Sequence, residues 1–88
     1  MIEYSIKHHI PGRIRIEVPL LKDLSLPDLQ KLFHLLSTFP VPLGIKGMRP
    51  NPLSCSLVIE YDPKLIDIHE YIRKVASSRE MAKVFGIL

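Results

Sequence analysis

The chain has no tryptophan, a single cysteine, four glycines and no acidic surplus. One cysteine cannot close an internal disulfide, which suits a reducing, cytoplasmic compartment. Apolar runs extend over a few residues only, so no segment is long enough to cross a bilayer. The opening Met1-Ile2-Glu3-Tyr4 lacks the basic-then-apolar layout of a secretory signal. No glycine-rich phosphate loop follows a strand, and no H-E-x-x-H occurs. No nucleophile stands at a recognisable spacing from a base, so the expectation is a protein that is not an enzyme.

What is present is ordinary globular composition. Of 88 residues, 47 % are hydrophobic and 24 % charged, which argues against disorder and allows one small domain over 1–88. The net charge of +3 is unevenly placed. Residues 1–50 carry seven basic and four acidic side chains, and residues 51–88 carry five of each. The surplus therefore belongs to the first half.

Residues 3–18 read as extended. Apolar and charged residues alternate strictly over Arg13-Ile14-Arg15-Ile16-Glu17-Val18, the period of a half-buried strand with Ile14, Ile16 and Val18 inward. Pro11-Gly12 interrupts the run and favours a type II turn or a sharp bend. A hairpin and one kinked strand both fit. Residues 19–25 read as a loop. Ser25 as N-cap, Pro27 in the first turn and Asp28 three residues after the cap predict a first helix. Leu29, Leu32, Phe33, Leu36 and Phe39 mark its buried stripe, and Pro40 and Pro42 end it. Gly44–Asn51 reads as a strand with Ile45 and Met48 inward around a bulge near Gly47. A turn at Asn51–Ser54 leads to a clear strand over Ser56–Tyr61. Asp67 and Glu70 then open a second helix with Ile68, Tyr71, Ile72, Val75 and Ala76 on one face. Residues 83–88 read as a last strand, or as a continuation of that helix. The resulting order, βαββαβ, predicts an α+β, ferredoxin-like fold: a four-stranded antiparallel sheet with two helices on one face.

Three segments resemble a known family. His8-His9-Ile10-Pro11-Gly12-Arg13-Ile14-Arg15 is similar to the H-x-I-P-G-R-I-R opening of heavy-metal-associated domains that lack the C-x-x-C motif. Gly44 to Ser56 resembles their G-V-x-S-V-R-V-N-P-L-T-G-S segment, and Leu57 to Pro63 their V-x-Y-D-P. The likeness spans roughly residues 6–76. Such domains occur as short free-standing proteins and at the N-termini of P-type metal-transporting ATPases. The resemblance implies the ferredoxin-like fold and a role around transition-metal handling. It implies no soft-metal site, because the loop that carries two thiolates in metal chaperones is here Pro19-Leu20-Leu21-Lys22-Asp23-Leu24. The chain also departs from the pattern at Val41-Pro42-Leu43, an insertion, and at Cys55, which replaces the hairpin glycine.

Lys7, His8, His9, Arg13 and Arg15 cluster within nine residues. On a strand, Arg13 and Arg15 project side by side about 7 Å apart. That spacing suits an anionic ligand or an acidic protein partner. The competing reading is a solvated face with Glu17 and Glu60 as cross-strand counterions. The expected partner-binding residues are Lys7, His8, Arg13 and Arg15. A direct transition-metal or haem site is the alternative, with His8, His9 and Cys55 as candidates. Adjacent histidines point to opposite faces of a strand, so neither ligates without help from Cys55, His34 or His69. No cofactor is expected otherwise. The outward positions of the two central strands, Arg13, Arg15, Glu17, Ser56, Val58 and Glu60, contain no aromatic, which disfavours RNA and nucleic acid generally. An exposed edge strand leaves a homodimer through sheet extension open.

Overall fold

The computed structural model describes residues 2–38, 41–51 and 53–79. Pro11-Gly12 turns the chain back on itself instead of bending one strand. Gly12 adopts φ +87°, the left-handed region that glycine enters without a Cβ penalty. The extended N-terminal segment is thereby split into β1 (Ser5–Ile10) and β2 (Arg13–Glu17), paired antiparallel. A 3-10 turn follows over Pro19–Asp23, within the loop expected over residues 19–25, and buries Leu21.

Helix α1 (Leu26–Thr38) starts where its cap predicts. The Ser25 hydroxyl accepts the Asp28 amide at 3.4 Å, and the Ser25 carbonyl accepts the Leu29 amide at 3.0 Å. Leu29 and Leu32 of its stripe are buried. Phe39, expected on the same stripe, lies outside the described residues, as do the side chains of Phe33 and Leu36. Strands β3 (Ile45–Asn51) and β4 (Ser56–Tyr61) pair antiparallel, with a register shift between Ile45 and Gly47. That shift is the expected bulge, needed because Ile45 and Met48 are three apart yet share a face. Helix α2 (Ile68–Ala76) is capped by Asp67, whose carboxylate accepts the amides of His69 at 3.1 Å and Glu70 at 3.2 Å.

The fold is α+β with a four-stranded antiparallel sheet and two helices, and the strands lie in the order β1-β2-β4-β3. This corrects the expected element order. Among the described residues the chain runs ββαββα, because the hairpin at Pro11-Gly12 makes two strands where one was counted. The expected strand or helix extension at 83–88 lies outside the described residues.

One sheet face is apolar. Register places Ile14 opposite Ile59 and Ile16 opposite Leu57, and Ile14, Ile16, Ile59 and Tyr61 pack with Ile68 and Ile72 of α2. Leu29 and Leu32 of α1 cluster with Leu21, Cys55 and Ala76. Leu32 and Ile72 line the same apolar cavity of about 90 Å³ as Ile16, Met48 and Ile59, so both helices cover this one face. Buried Ile2 ties the N-terminal segment in, its amide donating to the Ala76 carbonyl at 2.9 Å.

The turn before β4 departs from ordinary backbone geometry at Cys55, with φ +53°. A cysteine here adopts a conformation that glycine enters more readily. Its side chain is buried in the cluster with Leu21 and Leu29. No helix among the described residues is long and apolar enough to cross a membrane.

Candidate functional site

The side of the sheet away from the helices carries the charge. Alternation puts Arg13 and Arg15 on this face, both exposed, while Ile14 between them is wholly buried. Cross-strand register then builds rows of side chains. One row runs His8, Arg15, Val58, Arg49; the next runs Ile10, Arg13, Glu60, Gly47. At a strand spacing of about 4.8 Å, Arg15 and Arg49 stand about 10 Å apart with half-buried Val58 between them.

The two acids of the face are already engaged. Lys7 Nζ approaches Glu17 Oε2 at 3.8 Å, and Arg49 Nη2 approaches Glu60 Oε1 at 3.4 Å. Glu60 faces Arg13 across β2 and β4, yet its carboxylate pairs with Arg49. The expected counterion reading was right that Glu17 and Glu60 pair across strands. Their partners are Lys7 and Arg49, and among the described residues no ion pair forms on Arg13 or Arg15. Two guanidinium groups at the middle of a sheet, flanked by His8, therefore keep their fork-shaped donor sets available for carboxylate or phosphate.

Ser56 keeps its place in the expected outward set, opposite Glu17, but is buried, its hydroxyl 2.6 Å from that of Ser54. Arg49 is an addition to that set. Sequence showed a basic residue on a bulged strand, but which face it takes follows only from the register with Val58.

The proposed ligand set for metal or haem does not assemble. A bulge between Ile6 and His8 leaves Lys7 as the extra residue of β1, and beyond it alternation resumes. His8 then pairs with Arg15 on the charged face and His9 with Ile14 on the helix side. Cys55 sits at the other end of β4, four residues from Ile59, or about 13 Å along the strand from the level of His9. Among the described residues no group of three or more His, Cys, Asp or Glu side chains converges as a metal site.

His9 has other company. Its Nε2 lies 2.5 Å from the hydroxyl of Tyr61, a side chain that is 4 % exposed. The ring of His69, at the start of α2, meets the His9 ring edge-on with centroids 5.0 Å apart. The contact joins residues sixty positions apart and no local pattern announces it. The one sequence cue is the inward Tyr61, since a buried phenol needs a hydrogen-bond partner.

Both sheet edges are interrupted. Edge strand β1 is bulged at Lys7, and edge strand β3 is bulged beside Gly47 and contains Pro50, which has no amide to donate. Compared with known proteins, the chain matches no family model, no curated protein and no solved structure.

Proposed function

We propose that this domain is a non-catalytic docking module that holds a carboxylate-rich surface of a protein partner against Arg13 and Arg15. The observation that carries the reading is the pairing pattern: Lys7 and Arg49 take the two acids of the face, and the central arginines are left to an outside anion. His8 flanks Arg15 and Val58 supplies an apolar floor beside it. The two rows hold no Phe, Tyr or Trp, and their one ring, His8, stands on edge strand β1, which disfavours base stacking.

The place of such docking in the cell, cytoplasmic transition-metal handling, rests on the resemblance of His8–Arg15, Gly44–Ser56 and Leu57–Pro63 to heavy-metal-associated domains without C-x-x-C. The architecture supports that kinship in one respect. Strands β2, β4 and β3 are contiguous, with α1 between β2 and β3 and α2 after β4. This arrangement resembles the β-α-β-β-α portion of a ferredoxin-like fold, with β1 on the edge where that fold has its C-terminal strand. A homodimer by sheet extension would use β1 or β3, whose bulges leave short runs for pairing.

Amide NMR spectra titrated with a hexaglutamate peptide test the reading. Shifts are expected at His8, Arg13, Arg15 and Arg49, shrinking as salt rises from about 20 mM to 150 mM, because the Debye length falls below about 10 Å. Shifts confined to the helices, or no shifts at low salt, refute it.

A further inference from the structure

The His9–His69 contact lies on the helix side of the sheet, away from the docking face, and neither the fold nor the proposed docking requires it. Both residues are exposed, so water and ions reach them. They come from separate elements, the end of β1 and the first turn of α2, each fixed by its own hydrogen bonds.

Their separation matches a chelate. A metal–nitrogen bond of about 2.05 Å puts each imidazole centre about 3.2 Å from the ion, so tetrahedral coordination sets two centres about 5.2 Å apart. The observed separation is 5.0 Å, and because the rings pack edge to face at 78°, ligation requires the exposed His69 ring to turn about its side-chain torsions until its nitrogen lone pair meets the ion. Tyr61 supplies the outer contact that ligating histidines use. When His9 Nε2–H donates to the Tyr61 hydroxyl, the tautomer is set and Nδ1 keeps its lone pair for the ion.

We propose that His9 and His69 form a two-imidazole site for a divalent ion of the nickel–copper–zinc group, with Tyr61 as the positioning residue for His9. Imidazole nitrogens suit these ions, and water completes the coordination because no third protein ligand converges among the described residues. The positive end of α2 opposes a cation; the capping carboxylate of Asp67 offsets it, and Glu70 does so less because Lys74 pairs with it at 3.5 Å. Such a site is open and exchangeable, because water holds its remaining positions.

The test is calorimetric titration of the whole chain with ZnCl2 and NiCl2 in chelator-free buffer, with histidine ring NMR to identify the ligating nitrogen. One equivalent of ion is expected, bound through His9 Nδ1. His9→Gln and His69→Gln each weaken binding by at least tenfold, His34→Gln on α1 leaves it unchanged, and Tyr61→Phe weakens it by about tenfold or more. His69 is exposed, so His69→Gln reports on the site without threatening the fold. No binding, undiminished binding in His69→Gln, or a loss in His8→Gln as large as in His9→Gln overturns the proposal. An unchanged affinity in Tyr61→Phe removes the positioning role. Either failure leaves the docking proposal standing, since that surface is on the opposite face.

Discussion

Arg15 and Ile16 are neighbours on β2 and face opposite ways, so replacing each puts a different question to one strand. Ile16 is 5 % exposed and Ile14 is not exposed at all, both packed against Ile68 and Ile72. Truncating a buried isoleucine costs about 2–5 kcal/mol in lost transfer energy and cavity formation. Serine adds a hydroxyl in an apolar setting, for about 1–3 kcal/mol more. Against a total stability of about 4–13 kcal/mol for a chain of this length, Ile14→Ser or Ile16→Ser leaves the domain largely unfolded or close to it. Arg13 and Arg15 make no ion pair among the described residues, and glutamine keeps the aliphatic stem that lies along the sheet. The double variant Arg13→Gln/Arg15→Gln should lose no more than about 1 kcal/mol, twice the usual limit for a surface change. Urea denaturation followed by far-UV circular dichroism measures both. The arginine variant should also lose hexaglutamate binding, with the deficit greatest at low salt. If it denatures as early as Ile16→Ser, the arginines hold the sheet together and the docking argument fails.

Cys55 carries two opposed effects, a left-handed backbone and a buried side chain. Cys55→Ala loses packing and keeps the strain, whereas Cys55→Gly loses packing and relieves about 1 kcal/mol of it. The glycine variant should therefore be the more stable of the two by urea midpoint, and the reverse order would show that the turn is unstrained. Tyr71 of α2 has its phenol pKa raised above 10.0 by burial. Below pH 10 both folded and unfolded states are protonated and this group contributes no pH dependence. Above it the unfolded chain ionises first, so stability should fall with rising pH, and less so in Tyr71→Phe; equal alkaline slopes by chemical denaturation would contradict this.

Much of the fold was legible because short-range rules act on single elements. Strand β4 runs Ser56–Tyr61 as read, and α2 begins at its Asp67 cap with Ile68, Ile72 and Ala76 buried. The bulge beside Gly47 followed from the odd spacing of Ile45 and Met48. The hairpin at Pro11-Gly12 was not decided, since alternation looks the same whether a chain bends or reverses. That choice changed the strand count and the element order. The arginines were visible as a pair, but that they escape neutralisation was not. Glu60 stands opposite Arg13 and pairs instead with Arg49, an outcome set by three strands at once. The sequence named His69 only as one of three possible helpers of His9, because a direct contact between an edge strand and a helix sixty residues away is set by the whole sheet.

The strand order also dictates how the chain must assemble in time. β1 with β2 and β3 with β4 are both hairpins, closed by short turns, and such units form in about 1–10 µs. The remaining pairing, β2 with β4, brings Arg13 to Glu60 and Glu17 to Ser56 across the whole of α1 and β3. Loop-closure entropy is therefore concentrated in a single event, the zipping of two preformed halves along one seam. Ile14 and Ile59, opposite each other on that seam and the two most completely buried large side chains described, are the contacts that make the encounter productive. The strand that offers its arginines outward is thus also the one whose inward side forms the pairing of longest sequence separation in the sheet.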